Sequence, residues 1–115
     1  MEVQVYVNFE GNCREAVTFY ADVFNQPLPE FMTYGSMPSD PSFPLPAEAK
    51  DLIMHTDLKI GDSLVMFADV PPGMPLTVGD NITLVVVSKN MDEIRNLFSK
   101  LKEEGTVEMD LQETF

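Results

Sequence analysis

One helix pattern occurs twice in this sequence, with a spacing of 78 residues. In the first copy, Asn12 can cap a helix start and Glu15 follows three residues later, as in a capping box. An apolar stripe at helical spacing then continues, and it needs a sheet to cover it. The matching positions are Asn12, Glu15, Ala16, Phe19, Tyr20 and Val23 in one copy and Asn90, Glu93, Ile94, Leu97, Phe98 and Leu101 in the other. Because both the capping residues and the apolar stripe match between the two copies, the pattern predicts one structural module present twice.

Strand patterns surround both helices. Alternation of apolar and polar residues with period two is typical of a strand with one face in the core. The predicted strands are Glu2 to Phe9, Glu30 to Gly35, Asp51 to Ile60, Ser63 to Asp69, Asn81 to Ser88 and Thr106 to Thr114. Gly61-Asp62 predicts a tight hairpin between the third and fourth of these. The order is β-α-β-β-β followed by β-α-β, so the second module lacks two strands.

Proline-rich segments divide the chain. Residues 36–50 carry four prolines and predict a long irregular loop, either a lid or a disordered segment. Residues 71–80 hold further prolines and glycines and predict a linker. We therefore expect a single domain over 1–115, with module one at 1–70 and an incomplete module two at 81–115.

Charge and cysteine content restrict the partners and the compartment. The 115 residues have a formal net charge of -12, which disfavours nucleic acid and anionic membrane surfaces as partners. No apolar run approaches the roughly 20 residues of a membrane span. Cys13 is the only cysteine and cannot form an internal disulfide, so a cytoplasmic setting is expected. Its place at a helix start would lower the pKa of the thiol. No residue assigned as a base lies near it in sequence, so we predict that the thiol has no catalytic role.

The sheet face opposite the helices is the candidate ligand site. If the helices cover the face that holds Val5, Val7, Phe9, Met54 and Leu58, the other face of the same strands is mixed in character. It holds Gln4, Tyr6, Asn8, Ile53, His55, Asp57 and Lys59. Aromatic, amide, imidazole and carboxylate groups on a concave surface suit a small ligand, and a solvated sheet face would carry a similar set.

His55 and Asp57 are the candidate catalytic pair. They lie two residues apart on one strand face, so the carboxylate could favour protonation of the imidazole and prepare it for acid-base work. The alternative is a strand histidine that bonds a neighbour. Tyr6, Phe31 and Tyr34 could stack on a ligand, although aromatic residues in short strands also simply pack.

The segments NFEGNCREAVTFYADVF, IMHTDLKIGDSLVMFAD and LQETF together resemble the vicinal oxygen chelate superfamily, which includes glyoxalases, bleomycin-resistance proteins and dioxygenases. Within it, the chain is most similar to the PhnB-like, or 3-demethylubiquinone methyltransferase-like, branch. The resemblance implies an α+β fold in which tandem βαβββ modules form a curved mixed sheet with helices on its outer face. It also implies a homodimer and a site inside the resulting cup.

The resemblance implies a divalent metal held by His and Glu side chains, and it places Gln4 or Val5, Met66 and Asn81 at those positions. Two amides and a thioether are poor ligands for zinc or iron, so we predict neither the usual metal centre nor another cofactor. No glycine-rich fingerprint follows a strand, so a methyl-donor site is not expected either.

The sequence therefore predicts a PhnB-like protein that binds a small organic molecule without the usual metal; whether it is also an enzyme stays open. The predicted ligand contacts are Gln4, Tyr6, Asn8, Tyr34 and His55. One alternative is a metal-dependent lyase, isomerase or dioxygenase that uses His55 and Asp57. Another is an interaction module that pairs exposed strand edges with a second chain.

Overall fold

The computed structural model describes residues 1–38, 41–42 and 44–113. The chain forms two compact units, Met1–Val78 and Gly79–Phe115. Their boundary falls inside the segment 71–80 that was predicted to be a linker. In the described residues, no helix has the length and apolar character needed to cross a membrane.

The first unit contains one four-stranded sheet and one long helix. Its elements are β1 (Val5–Phe9), α1 (Cys13–Val23), β2 (Met32–Thr33), β3 (Ile53–Ile60) and β4 (Ser63–Asp69). The strand order is β1-β4-β3-β2, with β1 parallel to β4 and the other pairs antiparallel. This β-α-β-β-β order and the α+β class are as predicted. The hairpin turn also forms, with Gly61 at a φ of 60° between β3 and β4.

The core lies between the sheet and α1. The ladder registers place Val65 beside both Val5 and Leu58, and they place Phe67 beside both Val7 and Thr56. These rows share one face of the sheet because side chains of paired residues point the same way. Cys13, Val17 and Ala21 of α1 belong to the same buried cluster. The predicted helix-covered face is therefore confirmed for Val5, Val7, Phe9 and Leu58, and it is wrong for Met54, which is not part of the cluster.

The start of β3 departs from the predicted alternation. Ile53 was placed on the polar face with His55, but it is 1% exposed and lies in the core cluster. The pairing with β2 explains the difference, because Met32 pairs with His55 while Thr33 pairs with Ile53. β3 thus has one extra residue, Met54, and such an insertion moves the following side chain to the other face.

The cap of α1 also differs from the prediction. The Asn12 side chain makes no capping hydrogen bond. Instead, the Asp69 carboxylate accepts from the backbone N–H of Gly11 at 2.9 Å and of Cys13 at 3.0 Å through Oδ1. Its Oδ2 accepts from the N–H of Ile53 at 2.9 Å. The buried carboxylate of Asp69, at the end of β4, therefore caps α1, whereas the sequence predicted that the side chain of Asn12 would do so.

α1 ends at Val23, four residues before Pro27. Asn25 adopts a φ of 53°, a left-handed conformation that asparagine tolerates better than most residues. Gln26 then donates to the Ala21 carbonyl at 2.8 Å, and Asn25 donates to the Asp22 carbonyl at 3.2 Å. This pair of bonds is a Schellman motif, which satisfies carbonyls that the helix end leaves unpaired.

The second unit contains α2 (Met91–Lys102). Its predicted cap is confirmed, since Asn90 Oδ1 accepts from the Glu93 N–H at 3.1 Å. The Glu93 carboxylate bonds the Ser88 hydroxyl at 2.6 Å.

The strands predicted at Asn81 to Ser88 and Thr106 to Thr114 are wrong for the described residues, which contain no ladder there. A strand requires a hydrogen-bonded neighbour, and in this part of the chain neither segment has one.

The long proline-rich loop carries two short 3-10 helices at its borders, Tyr34–Ser36 and Ala47–Ala49. The first of these replaces the end of the strand predicted at Glu30 to Gly35, of which only Met32–Thr33 is paired. Ser39, Asp40 and Phe43 lie outside the described residues, as does Thr114 at the end of the last predicted strand.

Asp69→Asn should destabilise the first unit by about 2 to 4 kcal/mol, because one carboxylate oxygen that accepts a buried N–H becomes an amide donor. Chemical denaturation monitored by circular dichroism measures the change. Asp62→Asn, an exposed change in the hairpin turn, is the matched control and should cost less than about 0.5 kcal/mol. Equal stability of the two variants would show that the Asp69 bonds do not support the fold.

Cys13 should make stability depend on alkaline pH. Burial raises the pKa of its thiol from 9.0 to about 12, with a further rise from Asp69 and a smaller opposing effect of Arg14. This corrects the lowered pKa predicted from the helix start. The unfolded chain loses the thiol proton first, so the thiol's contribution is complete below pH 9 and is lost as pH rises towards 12.

The measurement compares unfolding free energies of the native chain and Cys13→Ala as pH is raised. The advantage of the native chain should stay constant below pH 9 and then fall by about 1 kcal/mol per pH unit. An advantage that stays constant well above pH 9 would contradict a protonated, buried thiol.

Candidate functional site

The sheet face turned away from α1 carries a row of chemically distinct side chains. The ladder registers place Met66 of β4 between Tyr6 of β1 and Asp57 of β3. His55 lies two residues before Asp57 and pairs with Met32 of β2. We call Tyr6, Met32, His55, Asp57 and Met66 the polar face, after its three polar members. The prediction that Tyr6, His55 and Asp57 share one face is confirmed.

A hydrogen bond joins Tyr6 to His55. The hydroxyl oxygen of Tyr6 lies 3.0 Å from Nδ1 of His55, and the two residues are 49 positions apart in the chain. Their ring centroids are 5.7 Å apart and the planes are tilted by 59°. Because His55 is in the row next to that of Tyr6, the phenol reaches diagonally across β4. The imidazole of His55 on β3 is therefore oriented by a side chain of β1, which lies on the other side of β4.

The other imidazole nitrogen faces Asp57. His55 Nε2 and Asp57 Oδ2 are 3.8 Å apart, and the two side chains are 35% and 51% exposed. This distance is longer than a hydrogen bond, so the interaction is electrostatic. A nearby carboxylate favours a proton on Nε2, which leaves Nδ1 as the acceptor for the Tyr6 hydroxyl. Burial, with a smaller effect of Cys13, raises the pKa of Tyr6, so its phenol keeps the proton that it donates.

Apolar side chains border these polar groups. Met32 is 48% exposed and Leu64 is 40% exposed, and Leu64 lies two residues before Met66 on the same side of β4. Methionine side chains adapt to irregular partners. Neither Met32 nor Leu64 was predicted to belong to the site, although the same alternation with period two that predicts Tyr6 and His55 also applies to β4.

The remaining predicted ligand contacts are arranged less closely. Gln4 precedes β1 and is exposed, with its amide bonded to Glu2 at 3.3 Å. Asn8 is exposed on β1 and pairs with Ala68. Tyr34 donates its hydroxyl to the Asp69 carbonyl at 2.8 Å, so this group already has a structural partner. Burial, then Asp69 and Tyr6, raises the pKa of Tyr34. As ligand contacts, all three stay predictions.

The resemblance places the family's metal positions on Gln4 or Val5, Met66 and Asn81, and none of these side chains is an imidazole or a carboxylate. Met66 presents a thioether, and Gln4 and Asn81 present neutral amides, which hold zinc and iron ions poorly. Across residues 1–38, 41–42 and 44–113, no group of three or more His, Cys, Asp or Glu is placed to hold an ion.

Comparison with solved structures supports the fold. Protein PA1353 from Pseudomonas aeruginosa matches with a TM-score of 0.78 and 30% identity, over 98% of this chain and 82% of that one. A PhnB protein from Bacillus cereus, described as a 3-demethylubiquinone-9 3-methyltransferase, matches with a TM-score of 0.66 and 23% identity, over 96% and 80%. The second likeness, at this identity, concerns the fold alone.

Sequence comparison decides the family. No known protein-family model matches the chain. Protein YjdN of Escherichia coli (strain K12) is 30% identical over 121 residues, which cover 100% of this chain and 82% of YjdN. The chain belongs to the PhnB-like family. The resemblance to this family that was inferred from the residue pattern is thereby confirmed.

The imidazole tautomer gives a direct test of this site. In the native chain, the side-chain nitrogen NMR shifts of His55 at pH 8 should show the proton on Nε2 and an accepting Nδ1. Tyr6→Phe should move the Nδ1 resonance because the donor is lost. Tyr20→Phe is the matched control, since Tyr20 packs against the core through its ring, and it should leave the spectrum unchanged. An unchanged Nδ1 shift in Tyr6→Phe would contradict the hydrogen bond.

Proposed function

We propose that this PhnB-like protein binds a small organic molecule on the polar face, with Tyr6, His55 and Asp57 as its polar contacts. The observation that carries the proposal is the 3.0 Å contact of Tyr6 with His55. It orients an imidazole before any ligand arrives, and a preoriented polar group reduces the entropy lost on binding. The proposal places the protein in a reducing cytoplasm, which suits its free Cys13.

The polar groups of the polar face are accessible to a ligand. Tyr6 is 45% exposed, and the His55 and Asp57 side chains are about as open, so a ligand can reach them. Met32 and Met66 add apolar contact area beside these groups. Small-ligand sites commonly combine an apolar lining with a few placed polar groups.

The hydrogen-bond roles indicate what such a ligand would offer. The Tyr6 oxygen and the Asp57 carboxylate accept, and the Nε2–H of His55 donates. A ligand would therefore present a donor and an acceptor close together on an apolar or aromatic body. Small aromatic compounds with a hydroxyl beside a carbonyl have this character and are the first class to test.

A second candidate is an enzyme in which His55 transfers protons. The 3.8 Å separation of His55 Nε2 from Asp57 favours it, because the carboxylate lies near the ring nitrogen that would take up or release the proton. In that case, a bound compound would be converted. In the binding proposal, the compound is recovered unchanged after prolonged incubation, as mass spectrometry would show.

A ligand screen tests the proposal. Compounds that raise the melting temperature of the native chain are followed by titration with NMR detection, and the shifted amides should lie in β1, β3 and β4. We expect His55→Ala to weaken binding by about tenfold or more and Tyr6→Phe by about fivefold, since each removes one hydrogen bond.

Two tyrosine variants serve as controls for this titration. Tyr20→Phe should bind like the native chain. Tyr34→Phe should lower stability, through the lost bond to the Asp69 carbonyl, more than it lowers affinity. A ligand that binds His55→Ala as tightly as the native chain would overturn the assignment of the site.

A further inference from the structure

Two methionine residues flank the imidazole of His55 on the polar face. The first is Met32 of β2, which is the cross-strand partner of His55. Side chains of such a pair lie on the same face of a sheet, with Cβ atoms about 5 Å apart. Met32 is 48% exposed, so its thioether lies outside the core. The imidazole therefore has a thioether as its neighbour on the side of β2.

The second methionine, Met66, is located by two contacts of the imidazole. Tyr6 and Asp57 are the cross-strand neighbours of Met66 on either side of β4. His55 Nδ1 lies 3.0 Å from the hydroxyl oxygen of Tyr6, and Nε2 lies 3.8 Å from Oδ2 of Asp57. Because the ring reaches both side chains that flank Met66, it leans towards the row of Met66. A long, unbranched thioether at this position is within reach of the imidazole.

Two thioethers beside one imidazole have the character of a site for a soft cation. Thioether sulfur selects Cu(I), and imidazole nitrogen is a common copper ligand. The Asp57 carboxylate, 3.8 Å from Nε2, adds a negative charge that offsets the charge of a monovalent cation. Zinc and iron sites are built from thiolate, imidazole and carboxylate ligands, of which the polar face supplies one imidazole and one carboxylate. The ligand set therefore favours Cu(I) over these ions.

We propose that Met32, His55 and Met66 bind one Cu(I) ion through two thioether sulfurs and Nε2 of the imidazole. Asp57 lies beside the ion and offsets its charge. The copper site shares Met66 with the positions where the family resemblance places a divalent metal, and it differs in its other ligands and in its cation. It requires no organic ligand on the polar face.

The hydrogen bond between Tyr6 and His55 suits the imidazole to this role. Cu(I) takes the lone pair of Nε2, so the single proton of the neutral imidazole leaves Nε2 and solvent returns one to Nδ1. Nδ1–H then donates to the Tyr6 oxygen, and the phenol keeps its own proton and turns it to solvent. A ligating histidine commonly donates its second ring N–H to such a partner, which fixes the orientation of the ring.

Cys13 carries the only thiol in the chain and takes no part in the copper site. It is 0% exposed and belongs to the cluster between α1 and the sheet, on the face opposite His55. A thiolate site would hold zinc as well as copper, whereas a thioether site holds zinc poorly. The choice between the two ions therefore distinguishes the thioethers from the thiol.

Competition with a chromogenic Cu(I) chelator, under anaerobic conditions with ascorbate, measures the binding. The native chain should take up one Cu(I) ion and no zinc at the same concentration. Met32→Leu and Met66→Leu should each weaken Cu(I) binding by about tenfold or more, since each removes a sulfur ligand at nearly constant side-chain volume. Met74→Leu is the matched control, since Met74 is 56% exposed outside the sheet, and it should bind Cu(I) like the native chain.

Two further measurements identify the nitrogen ligand and exclude the thiol. Addition of Cu(I) should change His55 Nδ1 from an acceptor to an N–H in the ring nitrogen NMR shifts, and Cys13→Ala should keep its Cu(I) binding. No uptake of Cu(I), equal binding by the native chain and both leucine variants, or uptake of zinc as readily as Cu(I) would overturn the copper site. The titration with organic compounds is done without metal, so its failure is separate from these outcomes.

Discussion

The first unit depends on one buried carboxylate. Asp69 is 2% exposed at the end of β4, and it accepts hydrogen bonds from the backbone N–H groups of Gly11, Cys13 and Ile53. These three donors belong to the β1–α1 turn, the first turn of α1 and the start of β3. A charge is costly to bury unless such bonds replace the lost water. The same group therefore fixes where the helix begins and where the neighbouring strand enters the sheet.

The polar face follows from this arrangement. Since α1 is held against one side of β4, the rows of Val65 and Phe67 face the helix and the row of Met66 faces away. Tyr6 and Asp57 lie on either side of Met66. From this position the phenol of Tyr6 reaches the imidazole of His55 across β4. The geometry of the candidate site is thus set by the strand order β1-β4-β3 and not by any local motif.

The chain has the sheet of the PhnB-like family. The resemblance to that family places its metal positions on Gln4 or Val5, Met66 and Asn81, where the chain has no imidazole or carboxylate. The polar face instead offers a phenol, an imidazole and a carboxylate beside methionines. The two units also differ from each other. β1 has β4 as its parallel neighbour. Residues 82–87, which lie 78 positions after residues 4–9 around β1, have no ladder in the described part of the chain.

Much of this protein can be predicted from its sequence, because periodicity is a property of near neighbours. Alternation predicted the order of elements in the first unit and the face shared by Tyr6, His55 and Asp57, and a capping residue predicted the start of α2. Contacts between distant segments decided the rest. Asp69 replaced Asn12 as the cap of α1, an extra residue moved Ile53 into the core, and Tyr6 found His55 49 positions away. Local sequence does not encode these outcomes, because a carboxylate or a phenol bonds whichever donor or acceptor the packed sheet brings within about 3 Å.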